Sequence, residues 1–293
     1  MNMILTVLNI TAPVFFLAAV GFAWVKLGFE YRVAFVTRLA MTLSVPCLIF
    51  VALMKTQIDP EALAALSLAS LAAYALVMFG IFALVKLARL DVPTYLAPLA
   101  FGNTGNLGLP LALFAFGEVG LGYAVVVFAV MAILSFTIGI WIVSGGGSLK
   151  RVVQEPLVGA TVLGAVFLWQ GWETPQFLTN ALELIGQMAI PMMLITLGVA
   201  MARLETRAMT QAVWLSAAKL LICLAAGWAT AQFFGLDPVA AAVLIMQVAT
   251  PVAVTSYLLA EKYGADAQPV AGLVVASTLL SVLALPVILA FVI

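Results

Sequence analysis

The sequence contains no histidine, and only 12 Lys+Arg and 12 Asp+Glu among 293 residues, so that 8% of it is charged. An ordinary soluble domain carries about 25%. Without histidine there is no imidazole for a metal site or for acid/base chemistry near neutral pH. With a net charge of zero there is no polybasic surface for nucleic acid. The two cysteines, Cys47 and Cys223, both fall in apolar stretches and read as buried thiols rather than a disulfide framework. No Ser/His/Asp or Cys/His constellation exists, and the glycine-rich stretches at 102–108 and 117–122 follow no strand, so they are not nucleotide loops. An enzyme is therefore not expected, and neither is a cofactor.

Apolar residues fill the space left by these absences. They make up 66% of the chain, with a mean hydropathy of +1.24. A compact soluble protein could not cover its surface with so few charges, so lipid is the expected solvent. A membrane-spanning helix needs about 20 apolar residues. Apolar runs separated by charged or Gly/Pro punctuation predict ten helices, at about 6–27, 34–54, 62–87, 94–116, 120–143, 153–172, 178–201, 210–234, 238–260 and 269–292. The runs are too long and too uniformly apolar for barrel strands. Little chain is left for a soluble catalytic or output domain. The first run lacks the positive flank and cleavage site of a signal peptide and reads as a retained span.

Basic residues predict orientation. With the N-terminus outside, the inner loops hold Lys26, Arg32, Arg38, Lys86, Arg89, Lys150, Arg151, Arg203, Arg207 and Lys262, and the outer loops only Lys55. Both termini are then extracytoplasmic, in a bacterial inner membrane. Trp24, Trp141 and Trp214 near the inner helix ends, with Trp169, Trp172 and Trp228 near the outer ends, read as interfacial belts or as bundle-facing rings.

The glycine-rich stretch at 145–151 divides the chain into 1–144 and 152–293. Five helices per half makes the halves an inverted repeat, as in many secondary transporters. Pro46 then corresponds to Pro191, and the pair Leu90-Asp91 to Leu236-Asp237, each pair opening the fourth helix of its half.

Those fourth helices carry the polar residues. Helix four, PLAFGNTGNLGLPLALFAFG, clusters Gly102, Gly105, Gly108 and Pro110 around Asn103, Thr104 and Asn106. Helix nine, LIMQVATPVAVTSYLLAEKYG, holds Gln247, Thr250, Pro251, Thr255 and Ser256. Thr250 followed by Pro251 reads as an N-cap and a first helical position, so a half-helix is expected to begin there. Interrupted backbone is tolerated in a membrane only where protein or water satisfies it, and two helix N-termini meeting at mid-membrane make an anion site without basic side chains. The alternative is that Pro110 and Pro251 merely kink packed helices.

Lys219 lies about eleven residues into helix eight, roughly 16 Å deep at 1.5 Å per residue. It reads as a counter-charge for an anionic substrate, as a proton carrier, or as a structural lysine bonded to carbonyls freed at a break. No Asp or Glu lies deep in a helix, which disfavours coupling through a buried carboxylate.

These segments resemble the auxin efflux carrier family. The similarity rests on TAPVFFLAAVGFAWVKLG, GNTGNLGLPLALFAFG, AIPMMLITLGVAM, ATPVAVTSYLLAEKYG and STLLSVLALPVIL, in order over nearly the whole chain. The resemblance implies a ten-helix, two-repeat fold related to the bile-acid/sodium symporters. It further implies a scaffold domain, a transport domain, and a helix four/nine crossing where substrate binds, with Asn103, Thr104, Pro110 and Pro251 on the family's break positions. Thr255 stands where many bacterial members have Asn, and Ala284 where Thr is common. The expectation is a secondary carrier of a small mono- or dicarboxylate anion, of the malonate or auxin kind, working by alternating access. Asn103, Thr104 and Thr250 would hold the carboxylate, with Lys219 for charge balance or coupling. An uncoupled facilitator or channel, or a Na+-coupled symporter, is the alternative. Coupling by H+ or Na+ and assembly as a homodimer stay open.

Overall fold

The computed structural model describes residues 3–55, 58–144, 156–203 and 209–292. Of these described residues 87% are helical and none is in a strand. Six helical segments are long and apolar enough to cross a membrane: Val33–Lys55, Glu61–Leu87, Thr104–Ser144, Gln176–Arg203, Met209–Phe233 and Ala267–Phe291. Shorter apolar helices run over Ile10–Lys26, Gly159–Gln170 and Pro238–Val248.

In chain order the elements are α1 (Met3–Lys26), α2 (Val33–Leu39) and α3 (Val45–Lys55), the last two joined through a π-turn at Ala40–Ser44. Then come α4 (Pro60–Leu87), α5 (Val92–Ala100), a π-turn at Thr104–Gly108, α6 (Leu109–Leu134) and α7 (Ile140–Ser144). After residues 145–155, α8 (Pro156–Gln170), α9 (Gln176–Gln187) and α10 (Ala189–Arg203) follow. The chain closes with α11 (Met209–Phe233), α12 (Pro238–Val248), α13 (Val254–Tyr263) and α14 (Ala267–Val292). The expected linker at 145–151 lies outside the described residues, as do Lys150, Arg151 and Arg207.

Four helices begin on the same chemistry, an aspartate N-cap with proline in the first turn. Asp59 accepts from Glu61 N–H, Asp91 from Thr94 N–H, Asp237 from both Val239 and Ala240 N–H, and Asp266 from Gln268 N–H. Each carboxylate satisfies backbone donors that have no partner within the helix and meets the positive end of its dipole. The two Leu-Asp pairs singled out in the sequence thus occupy equivalent positions, at the starts of α5 and α12. The break expected between residues 116 and 120 is Gly117, at φ 64 and ψ −154 inside α6, a conformation open to glycine alone without strain.

The helices pack in two groups. In one, α1 lies along α10, and α3 packs on α8 and α9. A Cβ at Gly198 would overlap the Ala18 carbonyl, and one at Gly21 the Ile195 carbonyl, so small residues set how closely α1 and α10 approach. In the other, α11 packs against α4, α12 and α14, and α6 against α4 and α12. Contacts from α1 to α6 and α14, from α3 and α8 to α6, and from α10 to the π-turn at Thr104–Gly108 join the groups. All six indoles are exposed, from 41% at Trp214 to 78% at Trp169, so none of them faces the bundle interior.

Candidate functional site

The second group is built around the place where α5 and α12 stop. Beyond Ala100, Phe101 is extended, at φ −104 and ψ 117, and helical backbone resumes at Thr104. Beyond Val248, the chain is non-helical from Thr250 to Ala253 and resumes as α13. The two interruptions cross as a fragment of antiparallel ladder. Gly102 pairs with Val252, and Asn103 N–H donates to the Pro251 carbonyl at 2.7 Å. Val252 N–H donates to Ser277 Oγ at 2.9 Å, from α14. Freed backbone groups at both breaks thus find protein partners, as burial in an apolar bundle requires.

The glycine spacing follows from this crossing. A Cβ at Gly102 would overlap the Thr250 hydroxyl, and one at Gly108 the Gln247 amide oxygen. A Cβ at Gly105 would press on Phe128 and Met193 at 3.1 and 3.2 Å. Pro110 has no N–H to donate to the carbonyl four residues earlier. The turn before it widens to π, and Asn103 C=O accepts from both Leu107 and Gly108 N–H.

Thr250 departs from the expected N-cap. Its Oγ1 donates backward to Gln247 C=O at 2.7 Å, closing the carbonyl end of α12. The next half-helix begins only at Val254, with Ala253 at the cap position and no side-chain cap bond. The proline explains the shift: at position 251 it favours extended geometry for Thr250, and Gly102 across the ladder holds the following residues extended. Pro251 lies within its interruption, whereas Pro110 lies beyond the π-turn, in the first turn of α6, so aligning the prolines and aligning the Leu-Asp pairs give different registers.

Of the residues singled out in the sequence, Asn103, Thr104, Pro110, Gln247, Thr250 and Pro251 are buried at the crossing, and Asn106, Thr255 and Ser256 are half-buried. Three polar atoms there have no hydrogen-bond partner: Asn103 Nδ2, Thr104 Oγ1 and Gln247 Oε1. Gln247 Nε2 donates to Ala124 C=O at 3.4 Å. Lys219 is 2% exposed on α11, and its Nζ donates to Thr250 C=O at 2.7 Å and to Cys223 Sγ at 3.7 Å. Of its three sequence readings, the bond to a carbonyl freed at a break is the geometry seen.

The sequence reading passed over several residues. Ser277, Ser281 and Ser216 line a cavity of about 10 Å³ with Lys219, Thr250 and Ala284, space for about one water. Tyr74, fully buried on α4, stacks at 6.2 Å from Phe101, and its hydroxyl is unpartnered. A lone phenol or serine within an apolar run was the available signal, but such residues usually return their hydrogen bonds to their own helix, as Ser281 does to Thr278 C=O. At one end of the group Tyr123 Oη donates to Asp237 at 2.8 Å. At another, Asp91, Thr94, Tyr95, Gly264 and Asp266 line an open cleft of about 420 Å³, where Asp266 N–H donates to Thr94 Oγ1 at 3.3 Å.

The family model described as membrane transport protein matches residues 6–151 and 145–289. Among curated proteins, the chain is 24% identical over 197 residues to a protein of Rhizobium meliloti (strain 1021) named "Putative malonate transporter". It is 26% identical over 196 residues to an uncharacterized transporter of Methanocaldococcus jannaschii. Each match covers 62% of this chain and spans 62% of the relative's length.

Proposed function

The chain belongs to the membrane transport protein family, that of the auxin efflux carriers, and from its helix crossing we propose that it is a secondary carrier of a small organic anion. The anion is held where α5 and α12 are interrupted, and it reaches either side of the membrane by alternating access. On this reading the short helices complete ten spans in two inverted halves, both termini are extracytoplasmic, and the membrane is the bacterial inner membrane.

The observation that carries the proposal is the set of orphaned polar atoms at the crossing. A buried donor or acceptor without a partner costs about 1–3 kcal/mol, and Asn103 Nδ2 and Thr104 Oγ1 bear that cost together. Both can donate, and both sit at the start of a helix whose first N–H groups have no partner within it. A carboxylate there would accept these donors and meet the positive end of the helix dipole. Val254, which opens α13, lies two residues beyond the same ladder. Two packing groups supply parts that would move relative to one another, as alternating access requires. The buried crossing, where Asn103, Thr104, Gln247 and Thr250 are each at most 4% exposed, favours a carrier over an open pore.

The R. meliloti relative's name supports a dicarboxylate such as malonate, and the family resemblance admits monocarboxylates as well. Counterflow in proteoliposomes with labelled malonate, malate, pyruvate and indole-3-acetate, with and without H+ and Na+ gradients, tests the proposal. Wild type should accumulate at least one of them, and Asn103→Ala and Thr104→Ala should lose that activity while remaining folded. Wild-type rates in both variants would refute the site.

A further inference from the structure

Where α1 stops, the chain turns within six residues into α2, which packs on α10 of the same helix group. Gly28, at φ 87, closes the turn: its N–H donates to Val25 C=O, and Phe29 N–H donates to Trp24 C=O, the hydrogen bonding of a glycine helix stop. Two bonds tie the turn to α10. Arg203 donates to Tyr31 C=O at 2.6 Å, and the Tyr31 and Thr196 hydroxyls share a hydrogen bond at 2.7 Å. Lys26, Arg32, Arg38 and Arg203 are exposed at this end, with Glu30 as the acid beside them among the described residues. Four cations against one acid leave a formal charge of +3. Glu30 pairs with Arg32, but both side chains are over 70% exposed, and a pair so open to water holds its partners weakly. The opposite end of the group carries Lys55, Glu173 and Glu183, a charge of −1.

The group that holds the crossing differs. Asp266 N–H donates to Thr94 Oγ1, which sets the end bearing Lys86, Arg89 and Asp91 beside the one bearing Glu261, Lys262 and Asp266. Three cations and three acids cancel. Around the unbalanced cations of the first group stand the exposed rings of Phe22, Trp24, Phe29 and Phe35. Lys26 Nζ lies 5.5 Å from the Phe22 ring centroid, and Trp24 packs on Phe29 at 4.7 Å. Rings that shelter the stems of cations suit the boundary between acyl chains and headgroups.

We propose that the Lys26–Arg38 turn, together with Arg203, is a docking surface for the headgroup phosphodiesters of anionic phospholipids, and that the group holding the crossing has no such surface. Charge complementarity carries the assignment, since an anionic leaflet attracts clustered juxtamembrane cations and gains nothing from a balanced set. Arg203 is already oriented by the Tyr31 carbonyl and keeps further guanidinium donors for a phosphate. Little side-chain freedom is then lost on binding. On the carrier reading, the leaflet holds the group that lacks the substrate crossing. The surface itself depends neither on that reading nor on which face of the membrane is cytoplasmic.

The full chain, purified in detergent and stripped of lipid, is titrated with phosphatidylglycerol or phosphatidylcholine, and bound lipid is counted by native mass spectrometry. Wild type should bind phosphatidylglycerol at least about tenfold more tightly, with the preference shrinking as NaCl rises from about 0.05 to 0.5 M. The triple variant Lys26→Gln, Arg32→Gln, Arg38→Gln should lose the preference to within about twofold, and the control Lys86→Gln, Arg89→Gln should keep it. All five side chains are exposed, so both variants should melt like wild type in lipid-free detergent. Should the triple variant melt lower, Arg32→Gln and Arg38→Gln decide singly, each weakening phosphatidylglycerol about fivefold and leaving phosphatidylcholine unchanged. Equal binding of the two lipids by wild type would overturn the proposal, as would an equal loss of preference in the triple variant and the control. Displacement of the lipid by millimolar inorganic phosphate would mean a free-anion site and would also overturn it. Failure of every uptake assay would refute the carrier reading and leave the lipid titration decisive for this surface.

Discussion

Substituting Gly102 by alanine places one methyl group at the tightest point of the ladder. The new Cβ would overlap Thr250 Oγ1 and come within 2.9 Å of Thr250 O and 3.3 Å of its Cβ. Thr250 has little freedom to withdraw, since its hydroxyl donates to Gln247 C=O and its carbonyl accepts from Lys219, both at 2.7 Å. The two interruptions must therefore separate. Overpacking of this kind costs about 1–3 kcal/mol, and loss of the Asn103–Pro251 hydrogen bond adds about 1 kcal/mol. The sum, about 2–4 kcal/mol, corresponds to about a 30- to 1,000-fold change in the folded population. At about 2–4 °C per kcal/mol, the melting temperature should fall by about 4–16 °C. Gly159→Ala is the internal control. It lies in α8 with nothing within 4 Å of a new Cβ, so relief of the glycine penalty in a helix should leave stability unchanged or raise it by up to about 1 kcal/mol. Thermal melts of the purified variants, read by circular dichroism in one detergent, compare the two. Equal melting temperatures for Gly102→Ala and Gly159→Ala would refute the crossing as described.

Ser277→Ala leaves the buried Val252 N–H without its acceptor and should cost about 1–3 kcal/mol in the same melts; Thr278→Ser nearby serves as a control that keeps its hydroxyl. Asp237→Ala removes the acceptor of two α12 N–H groups and of the Tyr123 hydroxyl, costing about 1–2 kcal/mol. Tyr123→Phe should cost less, and a double-mutant cycle between the two should give a coupling of about 0.5–1.5 kcal/mol. Tyr31, between α1 and α2, has its hydroxyl pushed above the ordinary value of 10.0 by burial, against an opposing hydrogen bond with Thr196. The folded protein thus holds this proton more tightly than the unfolded chain, so the stabilisation is present below about pH 10 and fades as pH rises through the folded value. Melts of Tyr31→Phe between pH 7 and 11 should show a shallower alkaline decline than wild type.

Much of the local structure was legible because it depends on short-range chemistry. Asp91 and Asp237 cap their helices for reasons contained in three or four residues, and long apolar runs separated by charges mark helices wherever lipid is the solvent. Interruption of helices four and nine could be read from Gly102, Gly105, Gly108 and the prolines, since such residues weaken helical hydrogen bonding whatever surrounds them. The role of Thr250 could not. A threonine before proline fits an N-cap locally, and its place at the carbonyl end of α12 goes with the antiparallel pairing of the break to the segment at Gly102, nearly 150 residues away. Tyr74, Ser216, Ser277 and Ser281 escaped notice for a similar reason, because single polar residues in apolar helices give no periodic signal of which neighbour they face.

By itself, the sequence determined the solvent, the helices and the places where two of them break, because charge scarcity, apolar run length and backbone-disrupting residues act within a single turn or span. Only the tertiary structure decided that the breaks cross each other, which polar atoms they leave unpartnered, and that Lys219 donates to the Thr250 carbonyl within the second break. Those outcomes depend on contacts between α11, α12, α14 and the glycine-lined turn before α6, and the distances between segments so far apart in the chain are set by packing rather than by local preference.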